Sequence, residues 1–179
     1  MSVSELSTST QNYLKAIWGL KEWSSEPVTA TLIAKQLGLK LSSVSDAVRK
    51  MAKQGLVSHT PYGSVELTEL GRQYALVMVR RHRLLESFLV QALGYTWDEV
   101  HNEAENLEHA VSDMLIERVD KFLDYPTRDP HGDPIPTVDG QITIPSAHRL
   151  TDSGAQSQVT VERISDSDPQ LLKFLEERG

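Results

Sequence analysis

The sequence contains no cysteine. That excludes a disulfide, a thiolate zinc site, an iron–sulfur cluster and a cysteine nucleophile, so any metal must be held by nitrogen and oxygen. No apolar run approaches membrane-spanning length, and the opening MSVSELSTST has neither the basic nor the apolar region of a signal peptide. A cytoplasmic location is the expectation. HExxH, Walker, GxGxxG and GxSxG motifs are missing. Positive charge is scarce as well: the formal net charge of −7 argues weakly against nucleic-acid binding.

The distribution of charge qualifies that average. Between Ala30 and Thr60, Lys35, Lys40, Arg49, Lys50 and Lys53 face only Asp46, a local net of +4 in an acidic chain. With 179 residues and 39% hydrophobic content the chain can bury a core, in one or two domains.

Apolar spacing predicts a first helix from about Thr8 to Glu22. TATLIAKQLGLKLSSVSDAVRKMAKQGLV then reads as a short helix, a turn at Gly38 and a longer helix from about Ser42 to Gly55, which is helix-turn-helix spacing. LVSHTPYGSVELT gives two short strands around Pro61 and Gly63, a hairpin placed where a wing would be. A long helix is expected from Thr68 to about Gly94 and another from near Trp97 to about Leu123. DYPTRDPHGDPIPTVDGQITIPS has five prolines and reads as an ordered or semi-rigid linker. After it, QSQVTVERI is expected as a strand and DPQLLKFLEERG as a helix with Pro169 in its first turn. One strand and one helix cannot close a core. Either the chain stops inside a small C-terminal domain or the tail docks onto the rest.

Two constellations carry chemistry. In the first, Ser42, Ser43 and Ser45 near the start of the second helix of the helix-turn-helix are small donors suited to base edges and phosphates. Arg49, Lys50 and Lys53 can reach phosphates, Lys40 is counted with the same set, and Asp46 could accept a hydrogen bond from cytosine N4. The bland alternative is a three-helix packing unit with a solvated basic face; the hairpin at the right distance favours a DNA-binding winged helix.

The second constellation is richer in acids and histidines. His82 and Glu86 stand one helical turn apart on the apolar face set by Ala75, Met78, Val79, Leu85 and Leu89. In EVHNEAENLEHAVSD, a wheel at about 100° per residue puts Glu105 about 40°, Glu108 about −20° and His109 about 80° from His101, at the edge of a stripe of Val100, Ala104, Leu107, Val111, Met114 and Leu115. A buried carboxylate needs a partner. A local His–Glu hydrogen bond explains either helix alone, whereas two long helices presenting these groups to each other favour a paired metal site. His59, His131 and His148 lie in the wing or the linker with no ligand spacing around them and are read as incidental. A bundle-type di-iron oxidase would need Glu-x-x-His, and Glu105 to His109 is one residue too long. Two-metal hydrolysis stays open as a lesser alternative, as does a winged-helix regulator with a purely structural metal site.

The order of helix, helix-turn-helix, wing, MVRRHRLLESFL, VHNEAENLEHAVSD and RDPHGDPIP resembles the DtxR family of metal-dependent repressors, closest to its manganese-sensing MntR branch in actinobacteria. The resemblance covers essentially the whole chain. It implies a mainly α-helical protein: a winged helix-turn-helix over residues 1–73, a helical metal-binding and dimerisation domain over 74–125, a proline-rich linker over 126–157 and the start of an SH3-like, β-containing domain over 158–179. An ancillary metal site resembles His82, Glu86 and His101, and an activating site resembles Glu105, Glu108, His109 and Asn12 of the first helix. Asp168 and Gln170 lie where longer relatives add ligands. The implied function is a non-enzymatic, cytoplasmic, manganese-dependent repressor. It would hold two Mn²⁺ per protomer, with Fe²⁺ as the alternative metal, and bind operator DNA of dyad symmetry as a homodimer, two dimers to an operator in some cases.

Overall fold

The computed structural model describes residues 3–60, 63–166 and 168–178. The chain divides into two compact units, Met1–Val79 and Arg80–Gly179. The boundary falls inside one helix.

In the first unit, α1 (Thr8–Trp23) begins where Ser7 accepts a hydrogen bond from the Thr10 amide, and α2 (Ala30–Leu37) where Thr29 accepts from Leu32. These caps satisfy amides that the first turn leaves without partners. Gly38 ends α2 at φ +65, the left-handed conformation that favours glycine. Helix α3 (Leu41–Lys53) begins three residues after Gly38 and buries Val44, Val48 and Met51, spaced four and three apart along one face. Strands β1 (Val57–His59) and β2 (Val65–Leu67) pair antiparallel with Val57 opposite Leu67 and His59 opposite Val65. Pro61, expected in the intervening turn, lies outside the described residues. The long helix α4 (Glu69–Leu93) starts beside Thr68, whose Oγ1 accepts from the Gly71 amide and donates to the Gly55 carbonyl. A Cβ at Gly71 would come within 1.9 Å of the Leu56 carbonyl oxygen, so only glycine permits this approach. One core, including Tyr13, Leu14, Ile17, Ile33, Val44, Val48, Met51, Val65, Ala75 and Met78, holds the unit together.

The second unit departs from expectation in one important place. The helix expected to run unbroken from Trp97 to about Leu123 is two: α5 (Trp97–Leu107) and α6 (Asp113–Phe122). Ser112 starts α6 by accepting from the Leu115 amide. The break moves Met114 and Leu115 off the expected buried stripe, leaving them 66% and 46% exposed. Leu84, Leu85, Leu89, Val100, Ala104, Ile116, Val119 and Ile135 form the core instead.

The proline-rich stretch is pinned where it begins. Arg80 donates to the Pro136 carbonyl and pairs with Asp120, while Arg83 donates to the Pro134 carbonyl and pairs with Asp133. Residues 158–164 form no strand, because an extended segment without a neighbouring strand has no ladder to join. Ile164 instead donates its amide to the His131 carbonyl. The final helix α7 (Pro169–Glu176) packs on α5 with Leu172 buried, and the Trp97 amide donates to Glu176. The tail therefore docks within the second unit, and no separate β body forms among the described residues.

Candidate metal centre

Helix α4 supplies His82 and Glu86 from successive turns, and α5 supplies His101 and Glu105 from two of its own. Glu108 is the C-cap residue of α5, and His109 sits in the break before α6. Glu108 keeps helical backbone angles, its amide still donating to the Ala104 carbonyl, and is fully buried where the wheel put it, beside the apolar stripe; the helix breaks only after it.

These side chains converge. The His82 ring lies between two buried carboxylates, with Nδ1 2.7 Å from Glu108 Oε2 and Nε2 2.9 Å from Glu86 Oε1. His101 Nδ1 is 3.2 Å from His82 Nε2 and 3.4 Å from Glu86. Glu105 approaches both rings at 3.8–3.9 Å, and His109 Nε2 is 3.4 Å from Glu108 Oε1. The two expected ligand sets are thus not separate bodies, because His82 touches both. Asn12, on α1 in the first unit, has its Oδ1 buried without a hydrogen-bond partner among the described residues.

Three members of the cluster were not predicted. Asp166 Oδ2 lies 3.0 Å from His101 Nδ1, so the C-terminal carboxylate facing the cluster stands two residues before the expected Asp168. Asp168 instead caps α7, accepting from the Gln170 and Leu171 amides. His131, read as incidental, is buried; its Nε2 donates to the Trp97 carbonyl at 3.1 Å and its Nδ1 faces Glu86 at 3.9 Å. Asp129 belongs beside it and accepts from the His131 and Asp133 amides. Asp-x-His within a proline-rich stretch is a faint signal that ligand spacing on helices does not capture. His59 and His148 are not among these groups.

The donor atoms form three overlapping groups, each within 4.8 Å: His82, Glu86, His101 and Asp166; His82, Glu105 and Glu108; and Glu86, Asp129 and His131. Electrostatics mark an excess of negative charge. Burial pushes the Asp129 carboxyl well up, and the Glu86 and Asp133 charges push it further against the pull of Arg83. Burial by itself would raise Glu86 and lower His101. The His82 charge and hydrogen bonds from both rings instead hold Glu86 far below the carboxylate range, and Asp166 and Glu86 push His101 up to about 10. Asp166 is lowered, its burial outweighed by the His101 hydrogen bond. Protonated imidazole is serving as the counter-charge. A divalent cation held by imidazole nitrogen and carboxylate oxygen is the chemistry this donor set fits.

The DNA-facing candidates sit on one exposed surface of the first unit. Lys40 precedes α3, Ser42, Ser43, Asp46, Arg49 and Lys50 are exposed, and Ser45 is half-buried with its hydroxyl donated to the Leu41 carbonyl. Asp46 and Arg49, both exposed, are hydrogen-bonded to each other.

Two family descriptions match the chain: "Iron dependent repressor, N-terminal DNA binding domain" over residues 5–65 and "Iron dependent repressor, metal binding and dimerisation domain" over residues 68–137. The iron-dependent repressor IdeR of Mycobacterium tuberculosis is 40% identical over 134 residues, covering 75% of this chain and 58% of that protein. IdeR of Mycobacterium leprae is 33% identical, covering 99% of this chain and 82% of that protein. Among solved structures, a manganese-dependent transcriptional repressor in complex with manganese aligns with a TM-score of 0.90 at 54% identity, covering 95% of this chain and 78% of that one. The chain thus spans little more than half the length of the Mycobacterium tuberculosis relative. Among the described residues no helix is long and apolar enough to cross a membrane. A winged helix-turn-helix followed by a helical unit with a buried His/Glu/Asp cluster, matched by both family descriptions, identifies the chain as a member of the DtxR family of metal-dependent repressors.

Proposed function

We propose that the chain is a cytoplasmic, non-enzymatic, manganese-responsive repressor that binds operator DNA as a homodimer when its cluster is loaded. The observation that carries the reading is the His82 ring between Glu86 and Glu108, with His101, Glu105 and Asp166 around it and no sulfur in the set. Glu105, Glu108 and His109, with Asn12, are the activating ligands by resemblance; His82, Glu86 and His101, joined by Asp166, are the ancillary ones. Two ions per protomer follow. These residues would hold Mn²⁺, which would supply positive charge where the carboxylates converge, in place of the proton on the His101 ring. His101, raised to about 10 in the metal-free chain, would give up its proton, and Glu86 and Glu108 would offer the ion the oxygens that now face the His82 ring. Holding these side chains on one ion would bias the dimer toward the arrangement that fits successive major grooves, by no more than the ion's differential affinity for the two arrangements.

Mn²⁺ is low in the affinity order and suits oxygen-rich sites, so selectivity must come from ligand type and number. The manganese-dependent structure at 54% identity supports that metal, whereas the iron-dependent relatives at 40% support Fe²⁺ as the second reading. Operator binding measured by fluorescence anisotropy against free Mn²⁺, on duplexes enriched from a random library with the metal present, tests the proposal. Equal binding in chelator and in excess Mn²⁺ would remove the repressor mechanism. The double variant Asn12→Met with Glu105→Cys separates the metals: it is expected to shift activation toward Fe²⁺, and an unchanged Mn²⁺ to Fe²⁺ ratio would remove the argument from ligand hardness.

A further inference from the structure

The first unit contains a cavity of about 240 Å³, well away in sequence from the residues assigned to DNA. Its apolar wall includes Ile17 and Val28, both nearly inaccessible to water, and Leu67 of β2. Trp18 forms another side. Lys21 and Arg72 bring positive charge to it.

The polar groups here are incompletely used. The Arg72 guanidinium stands over the Trp18 ring, 5.4 Å from its centroid, and has no acidic partner among the described residues. Stacking of this kind holds a guanidinium in one plane while leaving its N–H fork able to pair with a carboxylate bidentately. Among the described residues, Lys21 meets only the Ser25 carbonyl, at 3.1 Å. The indole Nε1 of Trp18 is a buried donor with no acceptor among the described residues. Two cations, an unmatched donor and an apolar wall describe a partner with one negative end and one greasy end. The volume is at the small end for ligand sites, enough for a single ring on a short stem. Glu66, the acid that also lines the cavity, adds a negative charge that disfavours dianions such as phosphates or dicarboxylates.

We propose that this cavity is a second ligand site, for a small apolar monocarboxylate of about one aromatic ring. Arg72 and Lys21 take the carboxylate, and Ile17, Val28 and Leu67 take the ring. Because α1 and β2 both line it, a ligand there braces the hairpin against α1 and gives the DNA-binding unit an input that does not pass through the metal cluster.

The test uses the full chain in chelator, so that no carboxylate can be captured by metal, with phenylacetate and the neutral phenylacetamide as probes in isothermal titration. Phenylacetate is expected to saturate one site per chain and phenylacetamide to bind at least about tenfold more weakly. Arg72→Gln should raise the phenylacetate Kd at least about tenfold and leave the amide unchanged, with Lys21→Gln, on an exposed residue, giving a smaller loss. Failure of phenylacetate to saturate by about 10 mM would overturn the site, since weaker binding is indistinguishable from nonspecific association. Equal binding of acid and amide would overturn the carboxylate assignment. So would an Arg72→Gln variant that keeps the parent's thermal midpoint and phenylacetate affinity but loses salt dependence of DNA binding, because Arg72 would then serve phosphates.

Discussion

The recognition helix and the metal cluster present their functional side chains in opposite ways. On α3 the polar residues lie within a few turns of one another and face water, while Val44, Val48 and Met51 on the other side fix the helix. The cluster draws on α4, α5, the break before α6, the proline-rich stretch and the segment before α7, and its carboxylates Glu86 and Glu108 are withdrawn from solvent. An exposed helical surface distributes its energy over many weak contacts. A buried set of mutually dependent charges fails as a unit, because removing one member strands the others.

The largest expected effect follows from that dependence. Glu108→Ala removes the carboxylate that faces His82 Nδ1 at 2.7 Å and leaves the buried ring facing a hole, while keeping the backbone carbonyl that Arg81 reaches. Metal-activated operator binding should disappear, while circular dichroism should still report a folded helical chain. A Glu108→Ala chain that responds to Mn²⁺ like the parent would dissolve the contrast. His131→Gln sharpens it next. If His131 is a working member of the cluster, Mn²⁺ affinity in direct titration should fall roughly 10- to 100-fold, the usual loss when a ligand or its close support goes. Unchanged affinity would return His131 to its packing role beside Trp97.

These two variants also separate what was readable in the sequence from what was not. The helix-turn-helix was legible because its signals are local: a glycine at the turn, a second glycine at the end of the longer helix and apolar residues at helical spacing. His82, Glu86, His101 and Glu105 were legible for the same reason. Asp166, Asp129 and His131 were not, since their approach to Glu86 and His101 depends on Arg80, Arg83 and Arg163 pinning the later segments by ion pairs and carbonyl contacts far apart in sequence. Nor was the break after Leu107 seen, although Ser112 followed by Asp113 is a start signal for a helix; an unbroken apolar period concealed it.

A third effect concerns pH. In the metal-free chain, His101 is held up to about 10 from an ordinary 6.5. A raised folded-state value means that the protonated ring stabilises the fold fully below about 6.5 and that the contribution is lost as pH rises toward 10. The thermal midpoint in chelator should therefore fall between pH 7 and 10, and His101→Gln should flatten that part of the profile. Mn²⁺ binding near pH 7.5 should release protons, read as a dependence of the calorimetric heat on the buffer's ionisation enthalpy. A flat midpoint in the parent, with no buffer dependence, would mean that the ring is neutral before metal arrives.

On the exposed side of the comparison, single changes should do less. Lys50→Ala removes one exposed cation near the end of α3. It should weaken operator binding by a similar factor across sequences and reduce the slope of log affinity against log salt by about 1. A sequence-selective loss would instead place Lys50 on a base edge.

The smallest effect tests the break that ends α5 just beyond Glu108. Ser112 accepts from the Leu115 amide at 3.2 Å and starts α6 afresh after the break that carries His109. Replacing a serine N-cap by alanine costs about 1 kcal/mol. For a chain of this size that is a drop of about 2–4 °C in the thermal midpoint. If the cap alone made the break, losing it would let α5 run on past Glu108, move His109 and the turn that follows, and weaken the metal response. The break has a second anchor, however: Arg81, buried at 2% exposure, pairs with Asp113 at 2.5 Å and reaches the Glu108 carbonyl at 3.5 Å. Holding the first acid of α6 and the last residue of α5 with one guanidinium fixes the bend without the serine. Ser112→Ala should therefore lower the midpoint by those few degrees and leave Mn²⁺ affinity within about threefold, roughly 0.65 kcal/mol. Asp113→Asn added to it should cost affinity out of proportion to the two single changes, because neighbours that share one structural duty do not act additively. An additive double variant would show that Arg81 packs the break rather than sets it.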